Sequence, residues 1–198
     1  MEVTTIISFY GVLALVGIVV IAWFAIMALA SFFADSVADG FAGIRERLAP
    51  FALTAAWAAA LLAMAGSLYF SEVANYTPCV LCWYQRIAMY PLVLILGIAI
   101  VRRDIGIRIY AIPLAAIGAV IAIYHWLIER IPELDYGACP EGVPCTQKWF
   151  EEFGFVTMPF LALVAFGLVI TFLLIPPRAP ADDDFELDED EPVAEDEG

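Results

Sequence analysis

Four cysteines, one arginine and one histidine hold the redox chemistry that this sequence can perform. Cys79 and Cys82 form a Cys-x-x-Cys pair within Thr77-Pro78-Cys79-Val80-Leu81-Cys82-Trp83-Tyr84-Gln85-Arg86, where one apolar run ends and the next begins. Pro78 suits the first turn of a helix, with Thr77 as its N-cap. Both thiols then fall in the first helical turns, where the helix dipole favours a thiolate. Arg86 follows Cys82 by four residues, so a fixed positive charge lies one turn below a sulfur on the same face. Cys139 and Cys145 make a second pair, enclosing two prolines and a glycine in what reads as a mobile, hairpin-like loop.

Two plainer readings compete with redox chemistry. The first is a pair of static disulfides bracing loops, but a bond between Cys79 and Cys82 closes too short a loop to stabilise much. The second is a zinc site, but five residues separate Cys139 from Cys145, and zinc pairs are usually two to four apart. No metal is therefore expected. A helix-anchored pair beside a loop pair suits relay by thiol–disulfide exchange, in which a thiolate attacks a neighbouring disulfide.

The elements that must position these residues are membrane helices. The 198-residue chain is 63% hydrophobic and 16% charged, whereas a soluble domain is roughly half apolar. Its long uncharged runs match the ~20 residues that cross a bilayer. Five spans are expected, at Ile6–Phe33, Phe51–Phe70, Trp83–Val101, Tyr110–Ile128 and Val156–Ile175, with Asp35–Pro50 as a polar connection. The first run has no basic n-region and is longer than a signal-peptide core, so it reads as a retained span. The fold class is all-α: a polytopic membrane protein with a four-helix transmembrane bundle and one extra N-terminal transmembrane helix. Residues 1–49 hold that helix and its connection, 50–176 the bundle, and 177–198 a tail. The net charge of −14 is mostly that tail, since eleven of the 23 acidic side chains lie in residues 181–198 with no Lys or Arg among them. Such a run is expected to be solvated and disordered.

Arginine placement sets the orientation. Arg45, Arg47, Arg102, Arg103, Arg108 and Arg178 fall on one side, which is expected to be cytoplasmic. An odd number of spans then puts the N-terminus outside, the tail inside, and all four cysteines on the face that permits disulfides. Trp83, Tyr84, Trp126, Trp149 and Phe150 read as an aromatic belt at that face, with Gln147–Phe153 as a short amphipathic segment in the interface.

His125 is the only histidine. Taken alone, a histidine near a helix end is an interfacial residue with a satisfied hydrogen bond. It lies three residues from the outer end of its span, about 5 Å deep at about 1.5 Å per residue, and Arg86 lies at a similar depth. Two such groups in different helices are costly unless they face a partner or a cavity. Cys82, Arg86 and His125 are accordingly expected to line one pocket. A small apolar redox ligand with carbonyl oxygens would suit it, with Arg86 stabilising an anionic reduced form and His125 donating a hydrogen bond or proton.

The run Cys79-Val-Leu-Cys-Trp-Tyr-Gln-Arg86-Ile-Ala-Met-Tyr-Pro91 resembles the signature of the disulfide bond formation protein B family, DsbB, in its BdbC-like branch. The resemblance extends over roughly Phe51 to Ile175, taking in Tyr124-His125, the second cysteine pair and Met158-Pro159-Phe160. It implies a four-helix bundle that takes electrons from a DsbA-like thioredoxin-fold oxidase and passes them to a membrane quinone, menaquinone or ubiquinone. By position Cys82 is similar to the cysteine beside the quinone, with Arg86 and His125 the polar groups at its ring. Cys139 is similar to the cysteine attacked by the partner, and Cys145 to the one that exchanges with Cys79. Membrane lipid, quinone and the oxidase are thus the implied partners, and nucleic acid is not. The first span and the acidic tail are extra to the family pattern. Vitamin-K-epoxide-reductase-like enzymes share helices, quinone and two thiol pairs, but there the Cys-x-x-Cys follows the loop pair. A non-enzymatic scaffold with structural disulfides is the alternative from outside redox chemistry.

Overall fold

The computed structural model describes residues 2–135, 137, 139 and 142–175. Five helices follow one another: α1 (Val3–Ala30), α2 (Asp35–Leu68), α3 (Val80–Arg102), α4 (Arg108–Arg130) and α5 (Met158–Leu173). Among the described residues there is no strand beyond an isolated bridge between Glu152 and Val156. The first four helices are long and apolar enough to cross a membrane. With 16 residues, α5 spans only about 24 Å at about 1.5 Å per residue.

The bundle is the ring α2, α3, α4, α5, in which each helix packs on the next and α5 closes back onto α2. Lipid offers no hydrophobic drive between helices, so close packing of small residues must hold such a ring. The sequence supplies them as alanines: Ala56 and Ala60 on α2, Ala88 on α3, and Ala111, Ala115 and Ala122 on α4 are buried. Leu92 and Leu96 of α3, and Phe166 and Val169 of α5, fill the middle. The end of the Phe166 ring lies against Gly118, where any Cβ would meet it. Outside the ring, α1 packs on α5 and α2.

Two expectations about the elements need correction. Residues 35–50, read as a polar connection, are helical and continuous with the span that follows. Ala, Leu, Arg and Glu are all good helix formers, and Pro50 removes a single backbone hydrogen bond without ending the helix. Arg45 in this stretch also has a structural task, because its Nη2 donates to the Leu174 carbonyl at 3.2 Å and satisfies the end of α5. At the other end of α2, Tyr69–Val73 forms a π-helical turn that carries the second span three residues past its expected end at Phe70. Gln147–Phe153 is irregular, with Trp149 stacked on Tyr76 at 5.0 Å and Phe150 tilted against Phe70 at 5.3 Å. The tail, 177–198, lies outside the described residues.

Candidate redox site

Helix α3 begins one residue after Cys79, and the N-cap is Cys79 itself rather than Thr77. Its backbone is extended, and its sulfur accepts from the Cys82 backbone N–H at 3.3 Å, the place an oxygen takes in an ordinary N-cap. The two cysteine sulfurs stand 3.0 Å apart as free thiols. Cys139 and Cys145 are joined in a disulfide, with Cα atoms 5.8 Å apart. Cys145 is fully buried and Cys139 only partly.

His125 of α4 joins the two pairs. Its Nε2 lies 3.1 Å from the Cys145 carbonyl oxygen and 3.6 Å from the Cys79 sulfur. Its Nδ1 is 2.9 Å from Gln85 Nε2, which donates to it, so the ring proton sits on Nε2 and faces both neighbours. The Cys145 sulfur lies within 4.8 Å of the Cys79 sulfur and of a ring nitrogen of His125. With that sulfur committed to Cys139, the three groups form a thiol–disulfide junction and not a ligand set.

Around Cys79 the donors converge. The Cys82 thiol hydrogen bond holds the Cys79 thiol far below its ordinary range. Burial opposes this shift, and His125 and the Cys82 N–H support it. Cys79 is therefore a thiolate at neutral pH, pointed at a buried disulfide sulfur. A low-pKa thiolate beside a disulfide is the geometry from which exchange proceeds.

Cys82 also faces a cavity of about 340 Å³ between α1, α2, α3 and α5, with Tyr76, Thr77, Pro78 and Trp149 also in its lining. Cys82, Gln85 and Arg86 reach its outer end, and below them its walls are almost wholly apolar. Arg86 is held in place by Ser67 of α2: Nε donates to Ser67 Oγ at 2.9 Å, and Nη2 to the Ser67 carbonyl at 3.0 Å. Tyr90 Oη donates to the same Ser67 Oγ at 3.2 Å. The guanidinium also lies over the Trp83 ring at 5.2 Å.

The structure thus brings Cys82 and Arg86 to one cavity and Cys79, His125 and Cys145 to one junction. His125 is not in the cavity wall, to which α4 contributes nothing. Three residues of the site were not singled out from sequence. Gln85 sets the His125 tautomer and Ser67 anchors Arg86. Glu129, one turn beyond His125, is buried with its Oε2 unpartnered. The signal available for all three was a polar side chain within an apolar helix, which is costly unless it faces protein.

A reduced Cys-x-x-Cys capping a membrane helix, beside a loop disulfide it can attack, defines a multi-pass membrane thiol oxidoreductase. The chain belongs to the DsbB family: residues 47–175 match the family described as "Disulfide bond formation protein DsbB". It is 52% identical over 124 residues to "Disulfide bond formation protein C" of Bacillus subtilis (strain 168), covering 62% of this chain and 90% of that one. It is 52% identical over 123 residues to "Probable disulfide formation protein C 1" of Bacillus anthracis, covering 62% and 88%. The "Probable disulfide formation protein C" of Halalkalibacterium halodurans is 49% identical over 120 residues, covering 60% and 88%. No solved structure matches the chain. The family assignment makes this protein an oxidoreductase of disulfide bond formation. All six residues singled out for chemistry lie within the matched range, and α1 lies before it.

Proposed function

We propose that the protein is a thiol:quinone oxidoreductase, which reoxidises an extracytoplasmic, DsbA-like thioredoxin-fold oxidase and delivers its electrons to membrane menaquinone or ubiquinone. The observation that carries this reading is the position of Cys79 between two sulfurs: Cys82 at 3.0 Å, facing the cavity, and Cys145 within 4.8 Å, in the loop.

Electron flow runs inward from the loop. A thiolate of the partner attacks Cys139, the more exposed sulfur of the loop pair, and Cys145 leaves. The partner's second thiolate then displaces Cys139, so the partner departs as a disulfide and the loop pair is reduced. With the first pair oxidised, the Cys145 thiolate attacks Cys79 and Cys82 leaves as a thiolate. Cys139 next displaces Cys79 from Cys145, which restores the loop disulfide and leaves Cys79 and Cys82 reduced. That is the redox state of the two pairs in this structure. Re-forming the Cys79–Cys82 bond releases two electrons and the Cys82 thiol proton, and a quinone that takes these up with one further proton from water becomes the hydroquinone.

The cavity suits such a ring: its walls are apolar, and its polar groups sit at the Cys82 end. Arg86, fixed by two hydrogen bonds to Ser67, holds a positive charge where oxygens of a reduced ring gain negative charge. His125 donates toward Cys79 and positions the exchanging sulfurs. The cysteine face is extracytoplasmic, following the arginine-rich side opposite.

The test is turnover in nanodiscs with a reduced thioredoxin-fold oxidase and quinone under argon. One hydroquinone should form per partner disulfide, and Cys82→Ala or Cys139→Ala should stop catalysis. Sustained partner oxidation without quinone, or by Cys82→Ala, would overturn the proposal.

A further inference from the structure

Helix α1 precedes the family-matched residues, yet it forms one wall of the cavity. Tyr10, Leu13, Ala14, Gly17 and Val20 line it, spaced by three and four on a single helical face, with the more exposed Val16 at the edge of that face. From Tyr10 to Val20 this face descends about 15 Å. An adjoining wall descends beside it along the π-helical turn and α2, from Ser71 to Ala59. The polar groups of Cys82, Gln85 and Arg86 are confined to the top, and the lower stretch is walled by aliphatic and aromatic side chains.

The wall is fastened on both flanks. Tyr10 Oη donates to the Leu62 carbonyl at 3.1 Å, and its ring lies so close to Gly66 that a Cβ there would stand 2.6 Å from it. On the other flank Gly17 rides against Val164 of α5, where a Cβ would stand 2.6 Å from the valine methyl. Such close seating is how membrane helices associate when small residues meet. The opposite face of α1, with Val12, Val19 and Ile26, is exposed. The helix therefore stands between the cavity and the surrounding bilayer.

We infer that α1 turns the lower cavity into a channel for the prenyl tail of the quinone, so this chain recognises the tail as well as the ring. The inference rests on the thiol:quinone reading. An apolar cavity below a polar end matches an amphiphile with a carbonyl-bearing head and a hydrocarbon tail. Val20 and Leu13 then contact the tail, and Val19 on the exposed face does not.

The experiment compares kcat/KM for a prenylated quinone and for the same ring without its tail, using full-length protein in nanodiscs and the reduced partner. Partition of each quinone into the bilayer is common to all variants, so a change in the ratio between variants isolates protein–tail contacts. Val20→Trp, which blocks the lower cavity, should lower the tailed-to-tailless ratio by about tenfold, equivalent to losing one or two buried methylenes. Leu13→Ala should lower it less, through lost contact. Val19→Trp should leave it at the wild-type value. Retained melting temperature and monodispersity identify folded variants, and Leu13→Ala serves should the tryptophan unseat α1. If folded Val20→Trp and Leu13→Ala both keep the wild-type ratio, the channel is refuted and the thiol:quinone reading stands. If the wild type reduces neither quinone, that reading falls and the inference falls with it.

Discussion

Replacing His125 with alanine tests the junction at its centre. Nε2 sits 3.6 Å from the Cys79 sulfur, a long contact, so its N–H contributes at the low end for a hydrogen bond to a charged group, about 1.5 kcal/mol. One pKa unit corresponds to about 1.4 kcal/mol, so loss of this donor should raise the Cys79 pKa by about one unit, from about 4 toward ~5. The direction follows from which form is favoured: His125 stabilises the thiolate, and its removal favours the thiol. At pH 7 both proteins remain thiolates and should react with iodoacetamide equally fast. At pH 4.5 the thiolate fraction should fall about threefold in His125→Ala. The assay is pH-resolved alkylation of Cys79, followed by peptide mass spectrometry in protein whose loop disulfide is intact. His125→Gln retains an N–H donor and should recover part of the shift. Superimposable pH profiles for wild type and His125→Ala would refute the argument, because they would mean that the ring does not donate to the sulfur.

The cysteine relay predicts that in Cys79→Ser/Cys82→Ser the loop pair, once reduced by the partner, stays reduced when quinone is added. Rapid quinone-dependent reoxidation, read by thiol trapping, would mean the loop meets quinone directly. Arg86→Met should raise the quinone KM by about tenfold, the loss of one charge-assisted hydrogen bond. Arg86→Lys should raise it less, since an ammonium keeps the charge but cannot bond both Ser67 groups through a planar fork; an unchanged KM in Arg86→Met would leave the arginine a structural link to Ser67. Because the folded-state pKa of Cys79 lies below that of a free thiol, the stability it gives the reduced protein is complete above the free-thiol pKa. That stability is lost as pH falls toward the folded value. Melting of the reduced protein should therefore shift upward with pH relative to the Cys79–Cys82 disulfide form, and parallel curves would contradict the assignment. Phe166→Ala empties the space over Gly118 and should cost about 3–5 kcal/mol, read as a loss of melting temperature.

What the sequence showed of this site, and what it hid, follows from which coordinates a helix pattern encodes. Depth was readable: apolar runs located the spans, and the Cys-x-x-Cys at a helix start fell where the structure has it. Azimuth was not. His125 and Arg86 are expected at one depth, yet His125 points from α4 toward Gln85 and Cys79, while Arg86 reaches the cavity that Cys82 also lines. Counting residues from a membrane edge gives no rotation about the helix axis. The cap was hidden for a similar reason: Thr77 and Pro78 have the right types, but the extended backbone runs on to Cys79, and a sulfur takes the oxygen's place. Helix α1 shows the same limit most sharply. It has no charged residue from Val3 to Ala30, so polarity marks no face, and nothing in its hydropathy distinguishes lipid from protein. Its packing face is written in side-chain volume instead. Gly11, Ala14 and Gly17 recur every three residues and are buried, while Val12, Val19 and Ile26 recur every seven and are exposed. In a bilayer, where both surroundings are apolar, residue size is the variable that decides which side of a helix meets another helix. The role of an added span must therefore be sought in where its small residues let it sit, and here they seat it against the cavity that Cys82 faces.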